Sequence, residues 1–246
     1  MKVKAEHINP YEGDPRGKTE QVRDMFDSIS GAYDFMNRAM TMGVDRLWRR
    51  TAVNTVRRHA PGRVVDLATG TGDLAIALAR RIPGAEITGY DLSEGMLEVG
   101  RRKVEKAGLS GRISLHQADC LALPAADNSA DAVTVAYGVR NFEHLLEGYR
   151  EMHRILRPGG MLCVLELSTP HGHITAPLYQ LYTRRIIPMA GRLISHDDRA
   201  YSYLPESIAA VPQGADMCAL MAEAGFSDCR FRPMTFGACT MYTAVK

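Results

Sequence analysis

The sequence predicts a doubly wound α/β domain on a mostly parallel sheet, and three observations predict it. A β-branched run, Val64-Val65, breaks at Gly70 and Gly72, and a helical pattern with Leu74, Leu78 and Ile82 on one face follows. Strand, glycine turn and helix is the opening unit of such sheets, which bind ligands at the carboxyl ends of their strands. Strand-like and helical runs then alternate as far as residue 167. The chain closes on two more strand-like runs, Phe226 to Phe231 and Thr235 to Val245, which read as an antiparallel pair. These make seven strands.

Before the first strand, residues 1–20 are polar and carry Pro10, Gly13, Pro15 and Gly17, which predicts a mobile arm. Residues 21–246 are read as a single domain. Residues 21–60 are helical by spacing: Val22, Met25, Phe26 and Ile29 share a face, then Tyr33, Met36, Asn37 and Met40, then Leu47, Trp48, Thr51 and Val56. They form an N-terminal helical cap. It either covers one end of the sheet or forms a lid whose methionines (Met25, Met36, Met40, Met42) line an adaptable apolar pocket.

The second strand, Glu86 to Tyr90, ends in Asp91, and Ser93 is placed to cap the helix carrying Met96 and Val99. Arg112 to His116 alternates as the third strand, with Asp119-Cys120 beyond its end. Asp131 to Ala136 is the fourth and runs into Tyr137-Gly138-Val139-Arg140-Asn141 at the topological switch point. A helix from Phe142 to Leu156 stops at Pro158-Gly159-Gly160, and Met161 to Leu167 is the fifth strand. Residues 168–212 are too long for a simple connection and read as a substrate-side insertion. They hold a helical pattern around Leu178, Leu181, Tyr182, Ile186 and Ile187, then Ser195-His196-Asp197-Asp198-Arg199. Residues 213–224 read as the last crossover helix.

Composition excludes several classes. A net charge of +2 over 246 residues is too balanced for a nucleic-acid partner. The five cysteines form no C-x-x-C pair, and no His/Cys/carboxylate spacing suggests a metal. The N-terminus lacks the apolar core of a signal peptide, and no apolar run approaches a membrane span. A cytoplasmic protein is expected, with peripheral contact at the inner face of a membrane and a homodimer left open.

Gly70-Thr71-Gly72-Asp73-Leu74-Ala75 fits the loose dinucleotide pattern. Asp66 and Asp73 flank it, however, and two carboxylates repel the pyrophosphate that a helix N-terminus attracts. They favour a cation such as the sulfonium and α-ammonium of S-adenosylmethionine. Asp91 lies about 20 residues past the glycines, where such folds place an acid on a ribose diol. The expected cofactor contacts are Gly70, Thr71 and Gly72 around the methionine part, Asp91 on the ribose, and Asp119 with the Cys120 backbone N–H on the adenine. Asp119 equally reads as a loop cap. Asp66 is expected to act through hydrogen bonds under the loop. Asp66-x-x-x-Gly70-x-Gly72 with Asp91 resembles the class I S-adenosylmethionine-dependent methyltransferases.

Three further stretches narrow the likeness: Phe26 to Asn37 continuing to Trp48, Tyr137-Gly138-Val139-Arg140-Asn141, and Arg154 to Gly160 leading to Glu166-Leu167-Ser168. With Asp198 to Ile208, they resemble the ubiquinone/menaquinone-biosynthesis C-methyltransferase family from about residue 20 onward. Asp45 stands where that family often has His, and Asp119-Cys120 where Asn-Ala is common. The resemblance implies methyl transfer from S-adenosylmethionine to a ring carbon of a polyprenylated naphthoquinol, demethylmenaquinol. A second route through a methoxy-benzoquinol stays open. On that chemistry, Arg140 stabilises a phenolate or orients a water that takes the proton, while Asn141 and Tyr33 position the ring. The plain alternatives are a loop salt bridge for Arg140 and a packed aromatic for Tyr33. His196 beside Asp197 is a second, lower-ranked base candidate, because neighbours in a strand point to opposite faces. A nicotinamide oxidoreductase is the rival enzyme class, but no catalytic Tyr-x-x-x-Lys is evident. A non-catalytic subunit is the other rival, against which the intact cofactor residues argue.

Overall fold

The computed structural model describes residues 3–11, 13–170 and 198–246. Seven strands form one sheet in the order β3-β2-β1-β4-β5-β7-β6. They are β1 (Arg63–Leu67), β2 (Glu86–Asp91), β3 (Ile113–Gln117), β4 (Ala130–Ala136), β5 (Leu156–Leu167), β6 (Ser227–Met234) and β7 (Cys239–Val245). The first five run parallel, and β7 pairs antiparallel with both β5 and β6. This is the expected fold class. Strand order reverses between β1 and β4, so their carboxyl ends splay beside each other and open the crevice that defines the site.

The central strands read as apolar runs because both of their faces are covered. On one face, helices α3 (Asp45–Arg58), α4 (Asp73–Arg81) and α5 (Glu94–Lys106) press Trp48, Val56, Leu78 and Leu97 onto Val64, Ile87 and Leu165. On the other, α6 (Leu145–Ile155) and α8 (Ala215–Glu223) press Tyr149, Met152, Met217 and Met221 onto Leu67, Val133 and Val164. Helix α7 (Asp198–Ala210) precedes α8 in the chain. The helical pattern expected at 178–187 and the His196-Asp197 pair lie outside the described residues.

The cap divides. Only α1 (Lys18–Ile29) and α2 (Tyr33–Thr41) sit over the strand ends, whereas α3 is a layer of the sandwich, since its apolar stripe has β-strand partners. The stretch expected as a mobile arm is packed. Val3 and Ala5 are buried in the core, and Lys18 buries its ammonium against the carbonyls of Ala5 (2.6 Å), Arg140 (3.1 Å) and Phe142 (3.3 Å). Helix α6 begins three residues later than expected because Phe142 is extended and folds back on Gly148, where a Cβ would stand 2.4 Å from its ring. Pro158-Gly159-Gly160 bends β5 near its start and does not end the preceding helix. Strand β7 begins late because Thr235 and Phe236 turn with φ of 46° and 57°.

Candidate active site

The turn after β1 is shaped by backbone demands. Ala68 and Gly70 have φ of 47° and 55°, and Gly72 (φ 77°) is the N-cap of α4. Gly138, after β4, brings the two strand ends together: a Cβ there would lie 2.5 Å from the Ala68 Cβ. Asp91, at the end of β2, is held by backbone donors, with the Gly70 N–H on Oδ2 (2.7 Å) and the Ser93 N–H on Oδ1 (2.9 Å). Burial pushes its carboxyl up to about 6, and those N–H bonds oppose the shift.

A cleft of about 670 Å³, its open mouth included, runs over these strand ends. Gly70, Asp91, Asp119, Cys120, Tyr33 and Asn141 all line it, so the structure gathers six of the nine expected site residues on one wall. Asp119 keeps one oxygen on the Leu121 N–H (2.9 Å), the loop-capping role. The other three expected residues stand elsewhere. Gly72 lines neither large cavity and serves to start α4. The Thr71 hydroxyl donates to Asp34 Oδ1 (2.6 Å) and accepts from Lys103 Nζ (2.9 Å). Arg140 faces the second cavity.

Of the two acids that flank the turn, Asp66 takes the part expected of it and Asp73 does not. Asp66 is buried beneath the loop, where it accepts the hydroxyls of Thr69 and Thr134 (2.6 Å each), and burial pushes it up to about 6. Asp73 is not free either. Burial pushes it up, but Lys103 Nζ at 2.5 Å and Arg49 at 3.2 Å outweigh that and hold it below its ordinary value. The electrostatic case against a pyrophosphate therefore rests on other groups: Asp91, Asp119 and Glu143 line the cleft, with Arg23 as the opposing charge. Such a wall suits ligand hydroxyl and amino donors, and Asp91, buried without a cation, fits a ribose diol. Asp34, Arg49 and Thr71 line a small polar pocket beside the loop, suited to an amino-acid end.

A second cavity, of about 1350 Å³ with its mouth, adjoins the first. Met25, Met36, Met40, Trp48, Leu204 and Ile208 make most of its wall apolar. Phe26, Tyr33 and Tyr137 line both cavities and so form their shared wall. The buried charges of the second cavity are Asp45, which pairs with Arg49, and Arg140. Arg140 Nη1 donates to Glu166 Oε1 (2.8 Å) and to the Tyr137 carbonyl, and the Arg140 backbone N–H donates to Glu166 Oε2 (3.2 Å). Burial opposes the guanidinium charge, and Glu166 outweighs it. The loop salt bridge is thus real, yet among the described residues Arg140 Nε is buried without a hydrogen-bond partner, as is the Tyr137 hydroxyl. Asn141 Oδ1 is taken by the Tyr203 hydroxyl (3.1 Å).

Sequence reasoning missed Glu166, Glu143 and Arg49. Glu166 had a signal, since a lone acid inside a fully apolar strand needs a buried cation. Glu143 accepts the Thr19 N–H and hydroxyl at the start of α1, a contact between residues 124 apart that no local pattern announces.

A family model described as the ubiE/COQ5 methyltransferase family matches residues 15–246. A Bacteroides fragilis protein named demethylmenaquinone methyltransferase is 47% identical over 100% of both chains. One of the same name from Porphyromonas gingivalis is 45% identical over 98% of each. A Geobacter sulfurreducens protein named ubiquinone/menaquinone biosynthesis C-methyltransferase UbiE is 45% identical, over 93% of this chain and 90% of that one. Among solved structures, a SAM-dependent methyltransferase from Aquifex aeolicus superposes with a TM-score of 0.57 at 17% identity. It covers 78% of this chain and 88% of its own. At that identity it supports the fold alone.

Proposed function

The chain belongs to the ubiE/COQ5 methyltransferase family, and from that premise we propose that it methylates a ring carbon of demethylmenaquinol, a polyprenylated naphthoquinol, to give menaquinol. One observation carries the reading. A cleft suited to a nucleoside shares the wall Phe26, Tyr33 and Tyr137 with a larger apolar cavity whose lining includes the buried Arg140 guanidinium. S-adenosylmethionine supplies a methyl group already activated on a sulfonium. The chain orients the acceptor and raises its nucleophilicity. A quinol ring carbon is a weak nucleophile until the neighbouring hydroxyl loses its proton. We assign Arg140 Nε, buried with no partner among the described residues, as the donor to that oxygen; it stabilises the phenolate, and water receives the proton, because Glu166 keeps the guanidinium charged. Tyr33 and Tyr137 hold the ring at the junction, and Asn141 acts from the cofactor side. After transfer the methylated carbon loses its own proton and the ring regains its aromaticity. Orientation of this kind supplies a large part of the rate.

The proposed cofactor contacts are Gly70, Asp91, Asp119 and the Cys120 backbone, with Thr71 and Arg49 at the methionine end. The decisive experiment incubates the protein with methyl-labelled S-adenosylmethionine and short-chain demethylmenaquinol, with a demethyl methoxy-benzoquinol in parallel. Label in the naphthoquinol alone supports this reading, and label in both makes the enzyme dual-route. Label in neither, with S-adenosylhomocysteine still bound, removes the substrate assignment.

The acceptor is greasy, and no helix among the described residues is long and apolar enough to cross a membrane. Met42, Leu47 and Phe236 are 80%, 60% and 82% exposed at or beside the mouth of the apolar cavity. Arg38 on α2 and Arg46 and Arg50 on α3 are exposed, with no ion pair among the described residues. Apolar tips ringed by arginines fit the surface of an anionic bilayer, here the inner face of the membrane. Sedimentation with anionic vesicles is expected and is lost in Leu47→Glu/Phe236→Glu. Sedimentation unchanged in that variant excludes this surface.

A further inference from the structure

The Tyr137 hydroxyl is buried, and among the described residues no group hydrogen-bonds to it. The rest of the residue is held firmly. Its N–H donates to the Leu165 carbonyl (2.8 Å), its carbonyl accepts from Arg140 Nη1, and its ring meets Trp48 edge-on at 6.4 Å. Its φ of 62° lies in the left-handed region, disfavoured for a residue with a Cβ. A backbone strain and an unmet hydroxyl at one position both work against the folded state, and their coincidence at a cavity wall points to a ligand. Tyr137 and Tyr33 are the two residues that line the cofactor cleft, the apolar cavity and the polar pocket at the glycine loop alike.

Arg140, which lines the same apolar cavity, carries another such group: its Nε is buried with no partner among the described residues. A quinol carries two ring oxygens, and two residues of the cavity wall each carry a donor with no partner among the described residues. We propose that the Tyr137 hydroxyl is a binding contact of the acceptor, donating a hydrogen bond to one oxygen of the quinol ring. This rests on the naphthoquinol reading above. Burial pushes the phenol well above its ordinary value, so it stays protonated and donates throughout the working pH range.

Tyr137→Phe removes that oxygen and nothing else. A purely structural hydroxyl and a ligand-facing one respond differently to this change. The variant is expected to unfold about 2–4 °C higher without ligand, because an unsatisfied buried group is gone. Its S-adenosylhomocysteine affinity stays within twofold of wild type. Its kcat/KM for short-chain demethylmenaquinol falls about tenfold. Trp48, the single tryptophan, lines the apolar cavity, so quenching of its fluorescence by the naphthoquinone measures acceptor binding without turnover. That affinity also falls about tenfold. If wild type and Tyr137→Phe bind and methylate the naphthoquinol equally, the Tyr137 contact is wrong while the substrate reading stands. If wild type neither methylates the naphthoquinol nor shows quenching, both fall together.

Discussion

The two halves of the site are built on opposite principles. In the cofactor cleft, polar groups are satisfied before any ligand arrives: Asp91 holds two backbone N–H donors, and Asp66 holds two threonine hydroxyls beneath the loop. In the cavity proposed for the acceptor the wall is mostly thioether and hydrocarbon, and two polar atoms of its lining residues, Arg140 Nε and the Tyr137 hydroxyl, have no partner among the described residues. The cleft comes from strand ends, with geometry set by the sheet register. The cavity is assembled from α1, α2, α3, α7 and the turn between β6 and β7. A rigid, prepaid site suits a donor common to many enzymes, and the open donors suit an acceptor whose oxygens complete them.

The largest effect that tests this contrast is at Arg140. Arg140→Met leaves Glu166 buried without its cation, which costs about 3–5 kcal/mol of stability. Urea denaturation measures that loss. Arg140→Lys keeps a charge for Glu166 but has no Nε donor and no planar fork. It should fold, bind S-adenosylhomocysteine as wild type does, and still lose about 100-fold in label transfer. Full activity in Arg140→Lys would reduce Arg140 to a loop salt bridge and erase the difference between the two halves.

Asp91→Asn probes the prepaid half. S-adenosylhomocysteine affinity, measured by calorimetry, should fall by about 10–100-fold, with naphthoquinone quenching of Trp48 unchanged. The pH dependence has a definite sign. Burial raises Asp91 to about 6 from 3.8, so the native chain holds a proton that the unfolded chain has lost between about pH 4 and 6. Its contribution to stability therefore falls as pH rises through that window and stays lost above it, by about 3 kcal/mol at most. The stability of Asp91→Asn relative to wild type should accordingly be more favourable at pH 7 than at pH 5. Ligand affinity runs the other way. Only the carboxylate accepts from both ribose hydroxyls, so wild-type affinity drops below about pH 6, by up to tenfold per pH unit. In Asp91→Asn that slope is absent.

How much of each half was legible follows from how it is made. The cofactor half lies in consecutive stretches: Val64 to Gly72, Asp91 after its strand, Asp119-Cys120 after the next. Strand ends in this fold converge by topology, so reading the strands located the wall. What failed there was charge. Asp73 reads as a free acid in sequence, and its partners, Lys103 and Arg49, lie 30 and 24 positions away on other helices. The acceptor half was legible only as methionine-rich helices, because hydrophobic spacing marks a helix face but not what covers it. Helix α3 carries the same kind of stripe as α1, yet packs on strands. Tyr137 was legible as part of a motif and not as a hydroxyl, since no pattern reveals that a buried group lacks a partner. The arm at 1–20 failed because glycine and proline count against helices, while Lys18 gains its place from three carbonyls, two of them more than 120 residues away.

The smallest effect sits at the rim of the acceptor half. The Trp48 indole N–H donates to the Thr235 hydroxyl at 2.8 Å, joining α3 to the turn between β6 and β7 across the cavity mouth. Thr235 has φ of 46°, so most substitutions there would alter strain and contact together. Thr235→Val keeps the branched shape and the same backbone penalty, and removes only the acceptor. It should cost about 1 kcal/mol of stability, since it leaves one indole N–H unpaired at a partly open site. If the cavity is shaped by the elements that surround it, the KM for naphthoquinol should rise about twofold with kcat and S-adenosylhomocysteine affinity unchanged. A change in cofactor affinity instead would mean that the two halves are mechanically coupled through α3, whose Arg49 reaches Asp73 at the glycine loop. The comparison would then be between two ends of one device, because the rim of one cavity would be setting the shape of the other.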